Sequence, residues 1–313
     1  MSNELCDSDV ASSRTRRAQA DRIDHAPESG RWEVLRALGS LADPVTSPVD
    51  RVSEALCLPH LDLAEHTEVF VMCCPPYESI YLGEEGKLGG ESADRVAGFW
   101  RVLGLSPPVE PDHLGTELAL YAYLSEAEAE SRNEHTKERL RAIRESLLWE
   151  HLWSWVPGYL EAVSDIAIAS VMPWATLILH ALHAEALVAT PAPVLPLALR
   201  SAQGPKDIES AGDILDHVTV PLRSGMVLTR HSIRQAAATI GVGYRHGERR
   251  FALRSMLEQD PLATTRWLGD EATEWAARHR ALPAVPGSDP KSWWATRARE
   301  TANMMYQLTR ESH

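Results

Sequence analysis

Apolar residues recur at three- and four-residue spacing along most of the chain, the period of a helix that buries one face. In residues 31–41, Trp32, Leu35, Leu38 and Leu41 share a side and predict the first core helix. Residues 49–56 predict a second, short helix after a Pro-rich turn. Residues 93–103 turn Val96, Phe99, Trp100 and Leu103 inward. Residues 134–155 carry a long seam of Leu140, Ile143, Leu147, Leu148, Leu152 and Trp155, with Lys137, Glu138, Arg141 and Glu145 on a solvated face. Pro157 is expected to end or kink that helix, because it lacks an N–H and its ring crowds the preceding turn. Residues 159–168 and 174–187 then complete an antiparallel helical bundle.

Elsewhere the pattern breaks. Residues 1–30 are polar and small, without periodicity, and read as a disordered tail. Residues 67–73 (TEVFVMC) are apolar and β-branched, but no partner strand is evident, so extended chain or a buried helical turn is expected. Pro75 and Pro76 break that segment, and YESIYLGEEGKLGG after them reads as a Gly-rich loop anchored by Tyr77 and Tyr81. Residues 190–197 (TPAPVLPL) read as a linker, and 200–224 show no long helix. Helical spacing returns at 231–240, capped by Thr229 and stopped by Gly241 and Gly243, and again at 248–257, 263–278 and 293–308. The expected organisation is all-α: a disordered tail over 1–30, an antiparallel bundle over 31–190, a Pro-rich linker over 191–226 and a helical C-terminal extension over 227–313.

Composition narrows the class. An apolar content of 44% supplies a core and excludes global disorder. No apolar run is long enough to span a membrane; the longest candidate, 167–187, is interrupted by Pro173 and carries His180, His183 and Glu185. Arg16 and Arg17 are followed by a polar stretch that could not act as an export signal, so a cytoplasmic protein with reduced Cys6, Cys57, Cys73 and Cys74 is expected. The net charge of −13 is uneven: residues 227–313 hold 13 basic and 9 acidic residues, so the acidic excess lies upstream. An acidic front part argues against general nucleic-acid binding and suits a basic partner segment.

The chain is organised around residues 110–124, EPDHLGTELALYAYL. Pro111 suits a first helical turn, and Asp112 is placed to cap it and to meet the positive end of the helix dipole. Leu114, Leu118 and Tyr121 then form a stripe, and His113 and Glu117, four apart, share a face. Upstream lies YESIYLG (77–83), followed by Phe99 and Gly104; downstream lies HLWSWVP (151–157). In this order, across residues 69–187, these elements resemble the signature of the TorD-type (TorD/DmsD/NarJ-like) family of molybdoenzyme assembly chaperones. Pro111 abuts Asp112 here, where the best-known members place a residue between them.

The resemblance implies a chaperone and not an enzyme. It would bind the catalytic subunit of a molybdopterin-dependent oxidoreductase of the dimethyl-sulfoxide-reductase type, shield its twin-arginine signal peptide, and assist cofactor insertion before export. It further implies a peptide-binding surface that includes Tyr77, Tyr81, Asp112, His113, Glu117, His151 and Trp155. Carboxylates there would take arginine forks through bidentate hydrogen bonds, and an apolar groove would take the signal's hydrophobic core. On that reading, Asp112→Ala with His113→Ala weakens peptide binding without loss of helix content. No resident cofactor is implied, only transient contact with the client's molybdopterin.

From the residues alone, the favoured reading is Asp112 as a local cap and His113–Glu117 as a surface pair, since such pairs are common in helices. His180 and His183 lack an H-E-x-x-H frame and read as structural, so no metal is expected. IGVGYRHGERR (240–250) offers Arg245, Arg249 and Arg250 to an anionic group such as a pterin cofactor, against a helix stop followed by a solvated basic turn. Two alternatives follow: a DNA-binding regulator using the helix-turn-helix-like segment 229–257, and a nucleotide- or pterin-binding protein using its Gly-rich loops. No Ser-His-Asp, Cys-His or paired-carboxylate arrangement is legible, so no catalytic residue is assigned.

Overall fold

The computed structural model describes residues 28–43, 48–204 and 208–311, and the fold is all-α. Most of the expected tail, residues 1–27 with Cys6, Arg16 and Arg17, lies outside the described residues, as does the Pro-rich turn at 44–47. Helix α1 (Glu28–Ser40) begins three residues before its apolar spacing and buries Leu35 and Leu38. It is followed by α2 (Pro48–Ala55) and α3 (Leu63–His66). Helix α4 is Glu78–Leu82 and α5 is Glu91–Val102. The organising helix, α6 (Leu114–Glu130), packs between α1 and α7 (Glu134–Leu147). Gly39 and Gly115 permit the close approach of α1 and α6: a Cβ on Gly115 would lie 2.8 Å from the Gly39 carbonyl oxygen. Helices α8 (Trp153–Asp165) and α9 (Met172–Val188) close the bundle, and the Trp174 indole donates to the Leu38 carbonyl at 2.8 Å, tying α9 to α1.

Residues 67–73 take the helical alternative of the two expected for them. Thr67–Cys73 is a π-turn in which the Cys74 N–H reaches back five residues to the Val69 carbonyl at 2.7 Å, burying Val69, Phe70 and Cys73. The YESIYLG segment differs from the expected loop. Glu78–Leu82 is a helix and every one of its residues is buried, because the Pro pair ends the preceding turn and leaves Glu78 to start a new one. Pro157 lies inside α8. The irregularity expected of it sits upstream, in a second π-turn at Leu148–Leu152, where the Trp153 N–H bonds to the Leu148 carbonyl. The extra residue in that wide turn accommodates a helix that lacks one N–H and must clear a proline ring.

The segment read as a Pro-rich linker, 191–226, is not unstructured throughout. It contains α10 (Leu197–Ser201), α11 (Ala211–Val218) and α12 (Pro221–Ser224), and it buries Leu199, Leu215, Val218, Leu222 and Met226. Its prolines set short turns and helix starts rather than a free spacer. Helices α13 (Arg230–Ile240), α14 (Arg249–Gln259), α15 (Pro261–Ala281) and α16 (Pro290–Glu311) follow, with Thr229 capping α13 and Gly241 ending it in the left-handed conformation. One apolar core runs from Leu35 to Met305. The C-terminal helices lie against α8: the Trp294 indole donates to the Ser154 carbonyl at 2.8 Å, and Arg278 pairs with Asp165 at 3.2 Å. Among the described residues no helix is long and apolar enough to cross a membrane.

Candidate functional site

Two of the three signature elements are joined by backbone. Tyr77 and His113 form an isolated antiparallel bridge. The Leu114 N–H donates to the Pro76 carbonyl at 2.8 Å, and the Glu78 N–H to the Asp112 carbonyl at 2.9 Å. Asp112 does not cap its own helix. Its carboxylate accepts from the Ser79 N–H at 3.1 Å, satisfying a first-turn donor of α4. His113 is the cap of α6, with Nδ1 accepting from the Gly115 N–H at 3.1 Å. Nor do His113 and Glu117 form the expected surface pair. Both are buried, and Glu117 points instead to α8, where the Trp155 indole donates to it at 3.4 Å.

The third element enters through the second π-turn. His151 Nδ1–H donates to Glu78 Oε2 at 2.7 Å, and Phe99 packs edge-on against the His151 ring. Tyr81 stacks on Trp155 and meets Tyr159 edge-on. Glu78 and Glu117 are both fully buried and within hydrogen-bonding reach of one another. One oxygen of each has no other partner. Burial, then the charges of Glu78 and Asp112, push the Glu117 carboxyl well above the usual carboxylate range. A paired-carboxylate arrangement that spacing alone did not disclose is therefore present, assembled from residues 39 apart in sequence. Glu78 was legible only as an acid among apolar neighbours in YESIYL.

Of the seven predicted peptide-binding residues, Tyr81, Asp112, His113, Glu117, His151 and Trp155 are buried and Tyr77 is half-buried. The structure gathers them into one cluster, with only its rim at the surface. That rim adds two exposed acids, Asp43 and Glu110. Asp43 Oδ1 lies 3.3 Å from His113 Nδ1, and the Tyr77 hydroxyl bonds to Glu110. Burial and then Glu110 push the Tyr77 hydroxyl up to about 12, while burial depresses His113 against the pull of Asp43. Beside the rim, Leu41, Leu58, Leu61, Phe70 and Trp174 line a small apolar pocket with His66, whose Nε2 has no partner. Val109, fully exposed, precedes Glu110.

The remaining candidates lie elsewhere. His183 Nε2 bonds to the Ala284 carbonyl and its ring stacks on Trp153, while Glu185 takes Arg31 and Tyr121. No group of three or more metal-ligating side chains occurs among the described residues. Arg249 donates to the Leu228 carbonyl and Arg250 pairs with Asp216, so two of the three arginines proposed for an anion are engaged within the fold; Arg245 is exposed. A family model described as the nitrate reductase delta subunit matches residues 46–161, a span that holds all three signature elements and the whole buried cluster. No curated protein and no solved structure gives a significant match.

Proposed function

From the premise that residues 46–161 belong to the NarJ/TorD-type family of molybdoenzyme maturation chaperones, we propose that this protein is a cytoplasmic, non-enzymatic chaperone for the catalytic subunit of such an oxidoreductase. It receives the client's twin-arginine leader at the rim formed by Asp43, Tyr77 and Glu110, and holds the subunit for cofactor insertion before export. The observation that supports this reading is a rim where two exposed carboxylates meet the signature residues: Asp43 lies 3.3 Å from His113, and Glu110 bonds to the Tyr77 hydroxyl. Arginine forks pair with carboxylates through charge-assisted hydrogen bonds, and the exposed Val109 beside Glu110 offers an apolar contact. The buried members of the cluster position this rim and do not touch the peptide. The helix-turn-helix alternative gains nothing from Arg249 and Arg250, which are engaged within the fold.

The test is calorimetric titration of a twin-arginine leader peptide into the full chain. Asp43→Asn with Glu110→Gln should weaken binding about tenfold, with reduced salt dependence and unchanged thermal stability, since both side chains are exposed. Unchanged affinity in that variant removes the rim as the receiving surface.

A further inference from the structure

The Glu78–Glu117 pair has a property that a packing role does not require. Two carboxylates with no exposed surface meet at the junction of α4, α6 and α8. Glu78 Oε2 is taken by His151 and Glu117 Oε2 by Trp155, which leaves Oε1 of each without a partner. Two carboxylates within hydrogen-bonding reach in a buried site repel, and a proton on Glu117 turns repulsion into an acid–carboxylate hydrogen bond. The groups that face the pair are few. Asp112 approaches from the start of α6, His151 faces Glu78 from the second π-turn, and Trp155 faces Glu117 from α8. The charges acting on Glu117 come from Glu78 and Asp112 and oppose the loss of its proton; the Trp155 N–H favours the ionised form.

We propose that a proton held by Glu117 and donated to Glu78 is a latch that fixes α4 on α6, and that losing this proton frees α4 and with it the Tyr77 side of the rim. The step breaks the O–H bond of Glu117 and passes the proton to solvent, leaving two carboxylates. Helix α4 is the element placed to respond. It has five residues, and its first two N–H groups are held by Asp112 alone, through the carbonyl for Glu78 and the carboxylate for Ser79. Its outer neighbour Tyr77 carries half of the bridge to His113. The consequence for a bound peptide rests on the function proposed above; the latch itself does not.

Hydrogen exchange of the full chain tests it, following amides 79–82 from pH 5 to pH 9 with correction for intrinsic rates. In the wild type, protection of these amides should fall by up to about tenfold per pH unit as pH rises from the ordinary carboxyl range towards the raised value of Glu117, since opening there releases its proton. Glu117→Gln should hold protection flat, because an amide N–H can donate to Glu78 without titrating. Identical profiles in wild type and variant overturn the latch. If Glu117→Gln does not fold, Glu78→Gln serves, since it removes one of the two charges and should likewise flatten the profile; a wild-type slope in that variant overturns the proposal. Adding a twin-arginine peptide to the same samples separates the two readings. Protection that follows pH, with no peptide bound at any pH, upholds the latch and removes the recognition role. Peptide affinity that ignores pH while protection follows it overturns the link between latch and rim.

Discussion

The Asp112 carboxylate accepts the Ser79 N–H across 33 positions of sequence, so the acid just ahead of α6 serves α4. Asp112→Ala would leave a buried N–H unsatisfied, costing about 1–3 kcal/mol, whereas Asp112→Asn keeps an acceptor and should cost less. Urea unfolding of the two variants checks the order; equal losses would show that the bond contributes nothing. The double change of Asp112 and His113 to alanine can no longer be expected to spare stability, since it removes this bond together with the cap of α6.

Gly115 is required by the helix crossing. Gly115→Ala would bring a Cβ within 2.8 Å of the Gly39 carbonyl oxygen, forcing α1 from α6 at a cost of about 1–3 kcal/mol. Gly98→Ala is the control. It lies inside α5 with nothing within 4 Å of the added Cβ, and should stabilise by up to about 1 kcal/mol. Thermal unfolding should move in opposite directions for the two.

Trp294 carries the contact between the C-terminal helices and α8. Trp294→Ala should cost about 3–5 kcal/mol, the usual loss for a buried tryptophan. A fragment ending at residue 190 should fail to unfold cooperatively, because it loses this contact along with the core side chains of α10 to α12. A sharp, two-state melt of that fragment would show that the front part folds alone.

Two histidines in the C-terminal part should shape acid unfolding. Burial, with the charges of Arg297 and Arg223, lowers His217 to about 4, and burial lowers His279 to about 4. The unfolded chain, titrating near 6.5, takes up these protons first, so stability is full above about pH 6.5 and falls as pH drops towards 4. The slope is at most about 1.4 kcal/mol per unit for each histidine. Glu271, pushed up to about 7 by burial, has the opposite sign: its contribution is full below its ordinary 4.5 and is lost as pH rises to 7. Glu271→Gln should therefore steepen the rise of stability between pH 4.5 and 6.5. A stability curve parallel to the wild type would refute this.

The helices were legible because their apolar stripes keep one period over many residues, as in 134–147 and 293–308. The relations between elements were not. The spacing of His113 and Glu117 puts them on one face of an isolated helix, but the Tyr77–His113 bridge turns His113 to its cap and leaves Glu117 facing Glu78. No local pattern encodes a partner 39 residues away. Prolines were read too coarsely in two places: those at 191–196 suggested a spacer just ahead of the short helices at 197–201, 211–218 and 221–224, and Pro157 suggested an end or kink where a wide turn lies upstream. Glu110 stood in the quoted stretch, yet its exposure beside Asp43 depends on where the end of α1 lies.

The wide turn at Leu148–Leu152 also sets a limit on chain length. One residue of an α-helix advances by about 100° around the axis. The turn already absorbs one extra residue, so adding or removing a single position between it and Trp155 would swing Trp155 and the rest of α8 away from Glu117, while His151 stayed near Glu78. The loop between Gly83 and Gly90 faces no such restriction, since Gly89 and Gly90 meet open space. Natural variation in length should therefore collect in that loop and avoid the stretch between His151 and Pro157.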